Sequence, residues 1–341
     1  MTRRHPDSLF PLVESFFRDY LGRLRNASRH SVLAYRDALR LFFSFVADAR
    51  RRAVADLRLE DLTVQQVLDF LDHLEASRHN AVATRNLRLT VIRTFFRHLV
   101  RQDPSRGAQY QRVLALPYKR APTPVIAYLE PEEVQLVLRQ PDRRTANEAR
   151  DHCLLLFLYN TGARISEALA VHHSDLQLAH PFQVKLHGKG RKERICPLWP
   201  ETARTLRRLV NQVPSPTKPA DGPVFLSARG RPLSRDGAAW ILAKHLERAA
   251  RQLPVLRRRH ITLHGLRHSC AVALLQAGVD LTVIRDYLGH QSIATTGRYT
   301  KTNLRMKRRV LDAFWRRAGL TRTRDPRWRP RADVVAFLNS L

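Results

Sequence analysis

Residues 264–300 read HGLRHSCAVALLQAGVDLTVIRDYLGHQSIATTGRYT. The apolar spacing predicts two helices, over about 263–277 and 280–288, the second closed by Gly289 in the position of a C′ cap. Set into this apolar text are His264, Arg267, His268, His290 and Tyr299. Taken one at a time, each has an ordinary explanation. His264 and His268 have the spacing of two zinc ligands on one helix, but the glutamate that would act as general base is missing, which disfavours a metal site. Capping alone accounts for Leu288-Gly289-His290, and a buried structural role is the default for a tyrosine such as Tyr299.

Working toward the N-terminus, Thr161-Gly162-Ala163-Arg164-Ile165-Ser166-Glu167 places an arginine just past a glycine, at a helix start. A salt bridge from Arg164 to Glu167 explains that pair as well as function does. Two β-type runs, Phe182–His187 and Arg194–Leu198, flank the turn Gly188-Lys189-Gly190-Arg191-Lys192. The turn lacks the spacing of a P-loop, so nucleotide hydrolysis carries little weight. Asp151 to Tyr159 is apolar enough for a buried helix, and further helices are expected over about 201–212, 235–252 and 303–318. In the last of these, Leu304, Val310, Leu311, Phe314 and Trp315 cover one face between basic residues.

Residues 1–103 are helical in pattern throughout. Leu9, Leu12, Val13, Phe16, Phe17 and Tyr20 mark a first helix; Ser28 or Ser31 caps a second, Thr63 a third, and a fourth runs from about Ala81 to Val100. Pro104, Gly107, Pro117, Pro122 and Pro124 then break the periodicity. The fold expected is mainly α: a four-helix N-terminal domain (1–103), a semi-extended basic linker (104–127), a mixed α+β domain with a small β-sheet (128–318), and a basic C-terminal tail (319–341). A chain of 341 residues accommodates two such domains.

Charge narrows the partner. Sixty Lys and Arg against thirty Asp and Glu leave a formal charge of +30, which favours a polyanion, because each cation set on a phosphate releases condensed counterions. Nucleic acid comes first and a membrane surface second. The best apolar run, Cys153–Tyr159, falls far short of the roughly 18 residues a span needs. The basic start Met1-Thr2-Arg3-Arg4 has no apolar segment behind it, and three distant cysteines make no disulfide framework. A cytoplasmic location is expected. Codon drift in a GC-rich genome explains the excess of arginine over lysine as well as phosphate binding does, and the net charge survives either explanation.

The joint order is more specific than any part. Arg164, Lys189 in a β-turn, His264-x-x-Arg267, Gly289-His290 and then Tyr299 resemble the tyrosine recombinase (phage integrase) family, Xer-like and integrase branch, and the resemblance extends over residues 1 to about 310. It implies a SAM-like core-binding domain followed by a catalytic domain, and a site-specific recombinase or integrase acting in integration, excision, transposition or Xer-type resolution. Carried over by position, it makes Tyr299 the nucleophile, Lys189 the general acid for the departing 5′ oxygen, and Arg164, Arg267, His264 and His290 the groups on the scissile phosphate. It further implies a 3′-phosphotyrosine intermediate, no cofactor (neither metal nor ATP), and double-stranded DNA as partner. The assembly implied is a homotetramer in the synapse, with a related recombinase or a directionality factor as further partners, on a bacterial nucleoid and not on a membrane. Lys301, where family members often carry His, is the nearest departure. Two rivals share parts of this reading: a type IB topoisomerase-like protein that relaxes DNA without exchange, and a DNA-binding module with a dead site.

Overall fold

The computed structural model describes residues 8–121, 127–188, 192–211 and 221–289. The helix expected over 303–318, the tail beyond it, and Lys189, His290 and Tyr299 lie outside the described residues. The chain divides at Pro124/Val125 into two units.

The first unit is built on four helices where the periodicity placed them: α1 (Leu9–Ser15), α2 (Arg29–Arg50), α3 (Val64–Ala76) and α4 (Val82–Gln102). Helix α1 continues to Leu24 as π-helix. Ser28 and Thr63 cap α2 and α3, their hydroxyls accepting from Ser31 N and Gln66 N, and thereby satisfy a donor that each helix start leaves open. The core is aromatic. Phe16 meets Phe95 edge-on at 5.2 Å and Phe42 lies 5.3 Å from Phe70, all fully buried. Each such side chain contributes about 1.5–3 kcal/mol by burial.

Residues 104–114 differ from the extended linker expected of them. Pro104 opens a 3₁₀ turn, where a missing N–H costs nothing, and α5 (Gly107–Leu114) follows. Burial decides this: Tyr110 and Val113 are fully enclosed in the first core. The Tyr110 hydroxyl donates to Asp103 Oδ2 at 3.0 Å. Past α5 the chain is extended and fastened to α4, with Asn86 bonding both the N–H and the carbonyl of Lys119.

The second unit contains α6 (Pro131–Leu138), α7 (Ala146–Thr161), α8 (Ile165–Leu169), α9 (Pro200–Asn211), α10 (Arg235–Ala250), α11 (Leu263–Gln276) and α12 (Leu281–Leu288). Helix α7 is apolar on every side and buried from Cys153 to Leu158, as its density foretold. Strands β1 (Leu176–Gln177), β2 (Gln183–His187) and β3 (Glu193–Pro197) form one antiparallel sheet in that order. The β2–β3 register pairs His187 with Glu193, and Gly188 N donates to Lys192 O at 2.7 Å. Among the described residues no helix is long and apolar enough to cross a membrane.

Candidate active site

Three chain segments converge in the second unit: the turn from α7 into α8, the first turns of α11, and the end of α12. Gly162 ends α7 in the left-handed region (φ 57°), and a Cβ there would stand 2.3 Å from Leu288 Cδ2. Glycine is therefore required both by conformation and by space. Arg164 follows as the N-cap of α8, its backbone N–H donating to Glu167 Oε2 at 3.0 Å. On α11, capped by Thr262, His264 lies in the first turn and Arg267 one turn later.

These residues line one cleft of about 550 Å³. Its walls carry Arg164, Ser166, Arg235, Thr262, His264 and Arg267, with Leu242, Ile261 and Leu263 as the apolar part. Arg164, His264 and Arg267, separated by a hundred residues of sequence, are thus brought together as the motif order implied. Lys189, His290 and Tyr299 are outside the described residues, but the residues immediately before the first two, Gly188 and Gly289, are within them and border the same cluster.

Glu167 organises the cations. Its side chain is 3% exposed, with Oε1 taking Arg164 Nη1 at 2.6 Å and Oε2 taking Arg194 Nη2 at 2.8 Å. Arg267 Nη1 stands 4.0 Å from the same Oε2. Burial alone would raise the carboxyl's pKa, but the bonds from Arg194 and Arg164 outweigh it and hold it below the ordinary glutamate value. Glu167 is therefore ionised, and three guanidiniums share a single negative charge. The cluster is left with a surplus of two positive charges, before Arg235 is added.

The same three arginines cap the end of α12, one carbonyl each. Arg194 Nε donates to Tyr287 O at 3.1 Å, Arg267 Nη2 to Leu288 O at 2.6 Å, and Arg164 Nη2 to Gly289 O at 3.2 Å. A helix C-terminus leaves such carbonyls without intrahelical donors, and cations are favoured there. Arg267 also donates to Gly162 O at 2.5 Å and is 1% exposed. The arginines that face the cleft are consequently fixed to the backbone that leads into His290.

His264 stands at the exposed edge, its ring 4.3 Å edge-on from that of His268, which is buried. Partial enclosure, and then the charges of Arg267, Arg164 and Arg235, lower its pKa below the ordinary histidine value. It is neutral at pH 7, with one nitrogen to donate and one to accept. Tyr287 is set up differently. Its hydroxyl donates to Asn160 O at 2.5 Å, and burial pushes its pKa well above the ordinary tyrosine range. Such a phenol is a structural strut.

Two residues of the site escaped the sequence reading. Arg194 was read only as the start of a strand; its alternation with buried Cys196 along β3 was the available signal that it points inward. Arg235 opens α10 after the cap Ser234, and an arginine there has no pattern that distinguishes it from a solvated one. Glu167, expected as a salt-bridge partner of Arg164, reaches three arginines.

A helical first unit, a second helical unit with a small antiparallel sheet, and a cleft lined by Arg164, Arg235 and Arg267 together fit a protein that handles phosphate esters. Comparison with known proteins supplies the family. Residues 127–329 match the model of the phage integrase family, and residues 13–103 that of the phage integrase N-terminal SAM-like domain. The chain is 40% identical over 334 residues to "Putative integrase/recombinase y4rC" of Sinorhizobium fredii, covering 98% of each chain. It is 32% identical over 311 residues to Tyrosine recombinase XerC of Pelobacter propionicus, covering 89% of this chain and 95% of the relative. Its fold resembles that of the XerH site-specific recombinase bound to palindromic difH substrate in a post-cleavage complex. There the TM-score is 0.64 at 22% identity, over 89% of this chain and 84% of that one. The chain belongs to the phage integrase family, and its activity is site-specific DNA recombination of the tyrosine recombinase type.

Proposed function

We propose that Arg164 and Arg267 grip the scissile phosphate of double-stranded DNA while Tyr299 attacks it, forming a 3′-phosphotyrosine and releasing a 5′-hydroxyl. The observation that carries this is the surplus of two positive charges where Arg164, Arg194 and Arg267 share Glu167, with Arg164 and Arg267 lining the cleft. In-line attack passes through a phosphorane with about two negative charges, and fixed cations stabilise it without reorganising. His264, neutral at the cleft edge, donates to a non-bridging oxygen. His290, which follows Gly289 in the chain, joins it on the phosphate and takes the Tyr299 proton, and Lys189 protonates the departing 5′ oxygen. Because the phosphotyrosyl ester conserves the bond energy, rejoining needs neither ATP nor metal.

In this reading the first unit and the second both hold the duplex, four copies assemble on two sites, and the protein works on the nucleoid of a bacterial cell. A related recombinase or a directionality factor is a further partner of the assembly. The test is to trap the covalent complex on random duplexes and sequence the attached ends. Protein on 3′ ends at a recurring sequence supports the reading. Protein on 5′ ends, or no denaturant-resistant adduct, contradicts it.

A further inference from the structure

The position of Arg194 carries a role beyond the residues assigned above. It lies on β3, outside the motif positions, with its side chain 14% exposed. Its guanidinium is wedged between two glycines. A Cβ on Gly289 would stand 3.1 Å from Arg194 Nη1, and one on Gly188 3.5 Å from Glu167 Oε1 and 3.9 Å from Arg194 Nη1. The next residues in the chain are His290 and Lys189.

We infer that Arg194 is the positioning residue of the phosphate clamp: by engaging Glu167 Oε2 it limits Arg164 to one Nη1 bond with Oε1, so that the guanidinium stays at the cleft wall with Nη2 on Gly289 O and keeps its remaining N–H groups for the substrate. This role rests on Arg164 being a ligand of the scissile phosphate. Arg164 reaches Glu167 with Nη1 alone, at 2.6 Å to Oε1, because Oε2 is engaged by Arg194 at 2.8 Å and by the Arg164 backbone N–H at 3.0 Å. An arginine and a carboxylate with both oxygens open favour the bidentate fork. Without Arg194, Oε2 keeps only the Arg164 backbone N–H, and its freed acceptor capacity draws Arg164 Nη2 off the Gly289 carbonyl into that paired geometry and away from the cleft. The second bond of Arg194, from Nε to Tyr287 O at 3.1 Å, ties β3 to the end of α12, whose Gly289 carbonyl Arg164 also holds. Arg194 thus acts through Arg164 and does not touch DNA.

The experiment compares wild type with Arg194→Lys, which keeps a cation opposite Glu167 but loses the planar fork that serves two acceptors at once. Single-turnover adduct formation is measured at saturating DNA on the mapped site, once with a normal scissile phosphodiester and once with a neutral methylphosphonate there. DNA affinity and melting temperature are recorded beside it. The expected result is affinity within about twofold of wild type, adduct formation on the phosphodiester slowed about 100-fold, and a loss below about fivefold on the methylphosphonate, which asks less of a cationic clamp. Equal losses on the two substrates overturn the inference, as does a rate that returns to wild type at saturating DNA. If the Lys variant melts out, Arg194→Gln with Glu167→Gln removes the carboxylate that would draw Arg164 away together with its occupant; adduct formation on the phosphodiester within about tenfold of wild type is then expected, and a loss of about 100-fold overturns the inference. A wild type that forms no adduct on the phosphodiester overturns the underlying site reading, whereas a normal wild type with equal losses overturns only the role of Arg194.

Discussion

Replacing Gly162 by alanine tests the junction on which the arginine cluster is mounted. Gly162 has φ 57°, a conformation that costs an L-residue about 1–2 kcal/mol. The added methyl would stand 2.3 Å from Leu288 Cδ2 and 3.2 Å from Cys270 Sγ, where carbon atoms prefer roughly 3.5–4.0 Å. Leu288 is fully buried, so it must move by more than about 1 Å against a packed core, at a typical overpacking cost of about 1–3 kcal/mol. Together Gly162→Ala is expected to destabilise the second unit by about 2–5 kcal/mol. The assay is specific, because Trp199, Trp240, Trp315 and Trp328 all belong to residues 125–341. Urea unfolding followed by tryptophan emission therefore reads the second unit alone. Gly162 O and Leu288 O are also the two carbonyls that hold Arg267, so residual folded protein should cleave poorly. A midpoint shift equivalent to less than about 0.5 kcal/mol, the range of an indifferent surface change, would refute the packing described for this turn.

Arg164→Lys keeps the charge but not the fork, and cleavage should fall by two orders of magnitude or more, about 3 kcal/mol of transition-state stabilisation; near-normal cleavage would make Arg164 a structural partner of Glu167 only. The pH dependence follows from His264 and His152, whose pKa values burial lowers below the ordinary histidine value. The unfolded chain then binds protons that the folded one refuses, so stability of the second unit should decline as pH falls below about 6.5. Combining His264→Gln with His152→Gln should flatten that decline, and an unchanged profile would rule them out as its source. In the first unit, hydrogen bonds from Ser105, Arg106 and Tyr110 bring the Asp103 carboxyl down to about 2. Asp103→Asn should accordingly destabilise this unit above about pH 4, where the unfolded carboxylate is already ionised, and cost progressively less as pH falls toward 2. Circular dichroism of wild type and variant across that range checks it, a constant difference being the contrary result.

The helices of both units were legible because their apolar residues recur at three and four positions and because Ser28 and Thr63 stand where caps belong. The helix of residues 107–114 was not, since Pro104 and Gly107 read as breakers. Only the enclosure of Tyr110 by Phe96, with ring centroids 5.8 Å apart, shows why that segment folds. Order and residue type along the chain singled out Arg164, His264 and Arg267, and the fold brings the three to one cleft. What they could not announce was the sharing of Glu167, because Arg194 and Arg267 arrive from a strand and a helix distant in sequence. Nor could they show that the carbonyls of Tyr287, Leu288 and Gly289 are the common anchor. Those are facts of packing, and local pattern does not encode them.

The most direct measurement is to digest the denaturant-resistant protein–DNA complex with protease and nuclease and identify by mass spectrometry which side chain carries the nucleotide. The account predicts a 3′-linked nucleotide on Tyr299 and no adduct from Tyr299→Phe, a variant that should fold and bind DNA as wild type does. A nucleotide on any other residue, on Tyr287 above all, or an adduct that survives Tyr299→Phe, would contradict it.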